Sequence, residues 1–400
     1  MGMKRTTFAI AGVGLVALGA LLGQWLHAGS ATKPDPDAFK KVGSAYEIIR
    51  QSYVRQVSPG TLSRTAIEGM VGTLDPFSVY ITRERMKQVQ ESFRGSFEGI
   101  GITYELIDGG DGQDTIGVAT VVPGGPSSKA GLRAGDRIVE VNGTSAVGWS
   151  HQTIRSRLKG PENSTVSVTL RRPRQPDPIT TTITRGNIPL ETVQAQYMMS
   201  DRTGYVRLGR FARTTAQELS EALRRLDERG MERLVLDLRG NAGGLMSMAE
   251  KVADEFLVDG QLIVTARSRH EEYGGARYAS AEGQFEDRPL IVLVDDRSAS
   301  ASEIVAGALQ DHDRAVLVGR RTFGKGLVQR QFTLEDGSGL RLTVARFYTP
   351  SGRLLQRPDT TGADSLLAGD GQGGAIDTST VPDSLIHRTE AGRRVVGGGG

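Results

Sequence analysis

The residues best suited to chemistry are three serines that alternate with alanine in the stretch "RSASASEIVAGALQD". Ser298, Ser300 and Ser302 follow the apolar run "LIVLV", which is typical of a buried strand, and precede a run with helical spacing. A serine at such a junction lies at a helix N-terminus, where unpaired amides and the helix dipole stabilise a developing negative charge. The alternative is that one of these serines only caps the helix. The stretch therefore predicts either a nucleophile or a cap.

A serine nucleophile needs a base to take its proton, and the sequence offers histidine or lysine. The histidines are His27, His151, His270, His312 and His387, and only His312 is near the serines, several helical turns from Ser300. Lys325 follows the strand-like "AVLVG" and is flanked by Gly324 and Gly326. A lysine buried among apolar residues can have a pKa low enough to accept a proton. The alternative is a solvated lysine in a glycine turn.

Two glycine-containing turns could present backbone amides to a ligand. In "LVLDLRGNAGG" a buried strand runs into Gly240, Gly243 and Gly244, whose amides could bind an oxyanion, although such turns also bind phosphates or only reverse the chain. In "SFEGIGITYE" the amides of Ile100, Gly101 and Ile102 could hold the terminal carboxylate of a peptide that pairs with the following strand. The alternative for the second turn is a plain hairpin.

The elements that must position these residues fall into three groups. Helical spacing in "FKKVGSAYEIIRQSYV" and "LSRTAIEGMVGTL" predicts a small helical segment that ends at Asp75-Pro76. From about Gly95, short strands and one helical stretch, "HQTIRSRL", predict a partly open barrel of about eighty residues. From Gly204, strands and helices alternate, which is typical of an α/β domain. The predicted fold is therefore multidomain, with an α/β and a β part.

The N-terminus and the composition limit where the chain works. Lys4 and Arg5 precede an apolar run from Phe8 to Leu26, long enough to cross a bilayer, and small residues follow at 28–31. We therefore expect an uncleaved anchor or a signal peptide, with the rest exported. The 400 residues contain no cysteine, which excludes a cysteine nucleophile and disulfides, and the net charge of +3 does not favour nucleic acid as a partner.

In combination these motifs resemble one family of enzymes, over about Phe39 to Arg353. The ordered set "DPFSVY", "GIGI", "GPSSKAGLRAGDRIVEVNG", "LDLRGNAGG", "SASASEIVAGALQD", "GRRTFGKGLVQ" and "LTVARFYTPSGR" is similar to the carboxyl-terminal processing, or tail-specific, proteases. These are Ser/Lys peptidases of family S41 that carry a PDZ domain. The resemblance implies that Ser300 is the nucleophile, Lys325 the general base, and Gln329, one helical turn later, the residue that orients the lysine.

The resemblance also implies the remaining roles. Amides of Ala301 and of Gly243 or Gly244 would form the oxyanion site, with Gly243 preferred. Ile100, Gly101 and Ile102 would bind substrate tails, Ser298 and Ser302 would support Ser300, and Asp311 would be structural. Phe77 stands where many relatives have histidine, at a position expected to be remote from the catalytic motifs.

The predicted organisation is as follows. We expect a signal peptide or anchor at 1–31, a helical segment at 37–93, a PDZ domain at 94–175 and a crotonase/ClpP-like α/β protease core at 190–356. Residues 357–400 are expected to hold a flexible insertion and an incomplete C-terminal part of the core. The expected partners are protein substrates with apolar C-terminal tails and the membrane at the N-terminal span, with an adaptor or a second copy as further candidates. No metal or organic cofactor is implied.

Two other functions remain open at this stage. One is a membrane-tethered PDZ scaffold with an inactive protease-like domain, against which the intact Ser300, Lys325 and Gln329 argue. The other is an acyl-transfer enzyme on a related sheet architecture, although the sequence has no recognisable nucleotide or coenzyme loop.

Overall fold

The computed structural model of the chain describes residues 36–110, 113–280, 282–357 and 381–400. The chain divides into two compact units between Thr73 and Leu74. In the described part of the first unit, helix α1 (Pro36–Ser52) precedes helix α2 (Pro59–Val71). Pro59 begins α2, where its missing N–H and fixed φ suit the first turn. Both helices coincide with the helical spacing in the sequence.

Several of the sequence-based expectations concern residues that lie outside the described part. These are the apolar run from Phe8 to Leu26, the small residues at 28–31 and most of the predicted flexible insertion, at 358–380. Across residues 36–110, 113–280, 282–357 and 381–400, none of the helices combines the length and the apolar character needed to cross a bilayer.

A six-stranded antiparallel sheet forms the first part of the larger unit. Its order is β3-β4-β5-β7-β8, with β6 on β5, and β2 pairs separately with β9. The strands are β2 (Ser96–Gly99), β3 (Ile102–Ile107), β4 (Thr115–Val121), β5 (Arg137–Val141), β6 (Thr144–Ser145), β7 (Thr165–Arg171), β8 (Ile179–Thr184) and β9 (Gly186–Pro189). Helices α4 (Pro126–Lys129) and α5 (His151–Leu158) accompany the sheet. In β7 alternate side chains, Val166, Val168 and Leu170, are buried in one core.

A second, mostly parallel sheet has the order β10-β11-β12-β15-β16. Its strands are β10 (Val193–Ser200), β11 (Thr203–Leu208), β12 (Arg233–Asp237), β15 (Leu290–Val294) and β16 (Val316–Gly319). Helices α6 (Thr215–Asp227), α7 (Met246–Asp254) and α8 (Ala301–Asp311) contribute buried residues to its core. Since β12 and β15 are parallel neighbours with Asp237 opposite Leu293, the loops after their carboxyl ends meet at one edge.

A third sheet joins the beginning of the larger unit to its end. Its order is β1-β18-β13-β14, and β17 also pairs with β18. The elements are β1 (Val79–Ile81), β13 (Leu262–Arg267), β14 (Gly275–Tyr278), β17 (Leu327–Thr333) and β18 (Gly339–Tyr348), and helix α3 (Arg83–Arg94) follows β1. The predicted helical segment 37–93 is divided, because residues 74–93, which include β1 and α3, belong to the larger unit.

The described C-terminal residues form a hairpin of β19 (Ile386–Arg388) and β20 (Arg394–Val396). The segment expected to hold an incomplete part of the core therefore contains two paired strands. The glycines that follow pack closely on the loop of Lys325: a Cβ added to Gly324 would lie 2.9 Å from the carbonyl carbon of Gly399. The absence of a side chain at Gly324 allows this approach.

Candidate active site

Ser300 occupies a strained turn between β15 and α8. Its φ of 55° and ψ of −110° are unusual for a residue with a side chain. Gly243 packs directly against the turn, because a Cβ added there would lie 2.6 Å from the Ala299 carbonyl oxygen. The sequence-based prediction of a strand-to-helix junction at this serine agrees with the structure.

The two flanking serines fasten this turn to the loop after β12. The Ser298 hydroxyl donates to the Leu238 carbonyl at 2.8 Å, and the Ser302 hydroxyl donates to the Asn241 carbonyl at 2.8 Å. Both side chains are fully buried. Their contacts fit the supporting role expected from the sequence, since they fix the backbone on either side of Ser300.

Lys325 and Gln329 line the same cavity as Ser300, which has a volume of about 500 Å³. The Lys325 amine donates to Gln329 Oε1 at 2.7 Å. Burial lowers the pKa of Lys325 and the charge of Arg341 lowers it further, while Asp75 and Glu303 act in the opposite direction. A lysine in this environment is suited to act as a base.

Gln329 lies on strand β17, so the expectation that it follows Lys325 by one helical turn was wrong. The pairing of β17 with β18 shifts register between Val328 and Gln329. Such an irregularity changes the direction of a side chain relative to the regular alternation of a strand. It occurs at the residue that accepts the hydrogen bond of Lys325.

Glu303 connects the serine turn to the lysine loop, a role that the sequence interpretation missed. Its carboxylate is 2% exposed. Its Oε2 accepts from the backbone N–H of Ser300 at 2.7 Å and from that of Lys325 at 2.9 Å. Its Oε1 accepts from the Thr322 hydroxyl at 2.8 Å and from the Gly324 N–H at 2.7 Å. Burial raises the pKa of Glu303, against these hydrogen bonds, which lower it. The sequence signal was a glutamate three residues after a helix-capping serine.

The predicted oxyanion residues lie beside Ser300, but they differ in whether their backbone N–H groups already have a hydrogen-bond acceptor. The Gly243 N–H donates to Asn241 Oδ1 at 2.9 Å. The N–H groups of Gly244 and Ala301 donate to no acceptor within the described residues. Both residues line the cavity with Ser300. The N–H groups of Gly244 and Ala301 thus have no acceptor among the described residues, whereas that of Gly243 already has one.

Phe77 lies against Lys325, so the expectation that this position is remote from the catalytic motifs was wrong. The ring centroid of Phe77 is 4.9 Å from Lys325 Nζ. Its carbonyl accepts from Gln329 Nε2 at 2.6 Å, across 252 residues of sequence. The pairing of β1 with β18 brings this segment beside the strand that follows Lys325.

The remaining polar residues around α8 contact other elements. His312 lies at the far end of α8, where Nε2 is 2.8 Å from the Leu262 carbonyl oxygen. Asp311 is buried and accepts from Arg353 Nη2 at 2.5 Å, which fits its expected structural role. In the part of the chain that the structure covers, no cluster of three or more histidines and carboxylates could hold a metal ion.

The predicted tail-binding residues lie at the start of β3, away from the catalytic cavity. Gly101 has a φ of 75°, and the carbonyls of Ile100 and Gly101 accept from Ser127 and Val122. Their N–H groups make no backbone hydrogen bond to another described residue. β3 is the last strand of its sheet, so one of its edges is available for pairing.

Helix α3 contacts both of these regions. Its residues Val89, Ser92 and Phe93 line the catalytic cavity. Its Glu91 accepts a hydrogen bond at 2.5 Å from Lys159, which directly follows α5. Helix α3 thus contacts both the catalytic cavity and the end of α5, the helix that accompanies the six-stranded sheet.

Comparisons with known proteins show which families the parts of this chain resemble. Residues 202–362 match the model of peptidase family S41, residues 117–172 match a PDZ domain, and residues 23–85 match the N-terminal domain of the activating protease CtpB. The carboxy-terminal processing protease CtpB of Bacillus subtilis (strain 168) is 35% identical over 323 residues, which cover 80% of this chain and 66% of that protein. The carboxy-terminal-processing protease of Bartonella bacilliformis is 33% identical over 362 residues, covering 88% of this chain and 80% of the relative.

Among solved structures, a photosystem II D1 C-terminal processing protease is 33% identical, with 82% of this chain and 94% of that chain covered and a TM-score of 0.44. The chain belongs to peptidase family S41, the carboxy-terminal processing proteases, which are serine-type peptidases, and it carries a PDZ domain. It spans about two thirds of the length of the Bacillus subtilis relatives, 66% and 67%.

Proposed function

We propose that this chain is an exported serine endopeptidase that cleaves proteins whose C-terminal tails bind its PDZ domain. The observation that carries the proposal is the partly buried Lys325 amine, which donates to Gln329 in the same cavity as Ser300 and the N–H groups of Ala301 and Gly244. This set supplies a nucleophile, a base and an oxyanion site, which acyl transfer from a peptide requires.

In the proposed mechanism the Ser300 hydroxyl attacks the scissile carbonyl while neutral Lys325 takes its proton. The amides of Ala301 and Gly244 stabilise the resulting oxyanion, and the protonated Lys325 then delivers its proton to the leaving amine. Water hydrolyses the acyl-enzyme. Within the described residues no hydrogen bond joins Ser300 to Lys325, so the proposed proton transfer requires the amine to approach Ser300 when substrate binds.

The PDZ domain selects the substrate in this proposal. The turn at Ile100, Gly101 and Ile102 holds the terminal carboxylate, and the free edge of β3 pairs with the tail. Apolar residues around this turn, including the buried Ile100, favour an apolar last residue. The tail is thereby fixed by one site while another part of the same substrate reaches Ser300.

The location and domain limits complete the proposal. The basic residues before Phe8–Leu26 favour an extracytoplasmic position in the cell envelope, with the N-terminal segment as an anchor or a removed signal. The domain limits remain those expected from the sequence for the PDZ domain, 94–175, and the protease core, 190–356.

Cleavage of an unfolded protein that ends in an apolar tail tests this function. The full chain is compared with Ser300→Ala and Lys325→Ala, and with a substrate whose tail ends in aspartate. We expect only the parent to cleave, and we expect it to cleave the substrate that ends in aspartate more slowly than the one that ends in an apolar tail. Equal cleavage by all three proteins would contradict the proposed dyad, and tail binding without any cleavage would favour a scaffold.

A further inference from the structure

The carbonyl of Phe77 determines which way the Gln329 amide faces. Gln329 Nε2 donates to the Phe77 carbonyl at 2.6 Å, and Gln329 Oε1 accepts from Lys325 Nζ at 2.7 Å. A rotation of the amide by 180° would place its NH₂ group against the ammonium and its oxygen against a carbonyl. Both contacts would then be repulsive. The backbone at Phe77 therefore keeps an acceptor directed at Lys325.

The ring of Phe77 acts on the same amine. Its centroid lies 4.9 Å from Lys325 Nζ, within the range of a cation–π interaction. Such an interaction stabilises the protonated amine and has little effect on the neutral one. The charged groups that also act on Lys325 are Arg341, Asp75 and Glu303.

The turn that carries Phe77 is fixed by its own hydrogen bonds. Asp75 Oδ1 accepts from the N–H of Phe77 at 2.9 Å, the N–H of Ser78 at 3.0 Å and the hydroxyl of Thr343 at 3.1 Å. Thr343 belongs to β18, the strand that also pairs with the strand of Gln329. The turn and Gln329 are thus held by one strand, and this keeps the Phe77 carbonyl at a constant position.

We propose that Phe77 is a positioning residue for the catalytic lysine. Its carbonyl orients Gln329, and its ring stabilises the ammonium that forms when Lys325 takes the proton of Ser300. This inference rests on the proposed function, because it requires Lys325 to be the base. It adds to the site a residue that is distant in sequence from the serine and lysine motifs.

The test compares Phe77→Leu with Phe77→Tyr in the full chain. Loss of the ring removes an interaction that favours the charged amine, so the pKa of Lys325 falls and the acidic limb of the pH profile of kcat/KM moves to lower pH, by roughly half to one unit. The plateau value of kcat/KM falls roughly three- to tenfold, because the ammonium that forms in the transition state is less stable without the ring. Phe77→Tyr retains a π face and restores both values.

Two controls separate this effect from a loss of structure. Phe323→Leu makes the same substitution two residues from Lys325 at a ring that is 42% exposed, and we expect the parental profile. Phe77→Met fills a similar volume without a ring and should behave as Phe77→Leu, which keeps the test valid if the leucine variant folds poorly. Circular dichroism verifies the fold of each variant.

The outcomes also distinguish this inference from the proposed function. If Lys325→Ala is inactive and the acidic limb is the same for the parent, Phe77→Leu and Phe77→Met, the role of the Phe77 ring is refuted and the dyad stands. A shift that Phe77→Tyr fails to restore would also refute it. If Lys325→Ala retains the parental rate, the dyad fails, and the inference fails with it.

Discussion

The strained backbone at Ser300 predicts that glycine is more stable than alanine at this position. Two substitutions isolate the strain: Ser300→Ala and Ser300→Gly both remove the hydroxyl, and they differ only in the Cβ atom. The φ of 55° and ψ of −110° at this residue suit glycine and not alanine. We therefore expect Ser300→Gly to have the larger free energy of unfolding.

The size of the difference follows from two opposing effects. A residue with a side chain held in a sparsely populated backbone region costs about 1–3 kcal/mol. Glycine loses more backbone entropy on folding, which costs about 0.5–1 kcal/mol. The expected advantage of Ser300→Gly over Ser300→Ala is thus about 1 kcal/mol, and at most about 2.5 kcal/mol.

Urea unfolding followed by circular dichroism measures this difference in two inactive proteins. The glycine variant should have the higher midpoint with an unchanged slope, because a change of slope would indicate an altered unfolded state. An equal or lower midpoint for Ser300→Gly would refute the idea that this turn stores strain.

Four further predictions concern the site around Ser300. Because burial lowers the pKa of Lys325, the parent should cleave peptides below the usual lysine pKa of about 10.4 and lose activity on acidification as the amine gains a proton. Lys325→Arg should be inactive in the same assay, since its guanidinium stays protonated. Glu303→Gln should lower kcat roughly tenfold, because two of the four groups that donate to the Glu303 carboxylate lose their acceptor. The circular dichroism spectrum should be unchanged. A parental kcat would contradict the connecting role of Glu303. Gly244→Ala should reduce cleavage, since its Cβ would lie 2.0 Å from the Phe211 carbonyl oxygen, whereas Gly43→Ala, in open space, should match the parent.

The parts of the site that could be predicted from the sequence are those set by local patterns. The apolar strand "LIVLV" followed by serines and a helical run places Ser300 at a strand-to-helix junction. The parallel arrangement of β12 and β15 then brings the glycines after "LVLDL" beside it. The glycines that flank Lys325 after a strand made it a candidate base, and the resemblance to the carboxyl-terminal processing proteases then implied that role. In each case a few neighbouring residues carry the signal.

The parts that could not be predicted depend on contacts between distant residues or on side-chain direction. Nothing near Phe77 in the sequence indicates that its carbonyl meets Gln329. The engagement of the Gly243 N–H by Asn241 depends on a rotamer, and a rotamer is not encoded in a motif. Glu303 was overlooked because a glutamate in the first helical turn ordinarily serves only the helix to which it belongs.

The contact between Phe77 and Gln329 also affects when peptidase activity appears during folding, relative to the formation of helices and strands. It closes a loop of 252 residues, and contacts so far apart in sequence tend to form late, because the entropy of loop closure must first be overcome. Helices and local hairpins can form while Gln329 is still free to rotate and the lysine is not yet held. An incompletely folded chain would then have the hydroxyl and the amine but little peptidase activity. On refolding, proteolysis should return after the circular dichroism signal, which would limit self-digestion by partly folded copies.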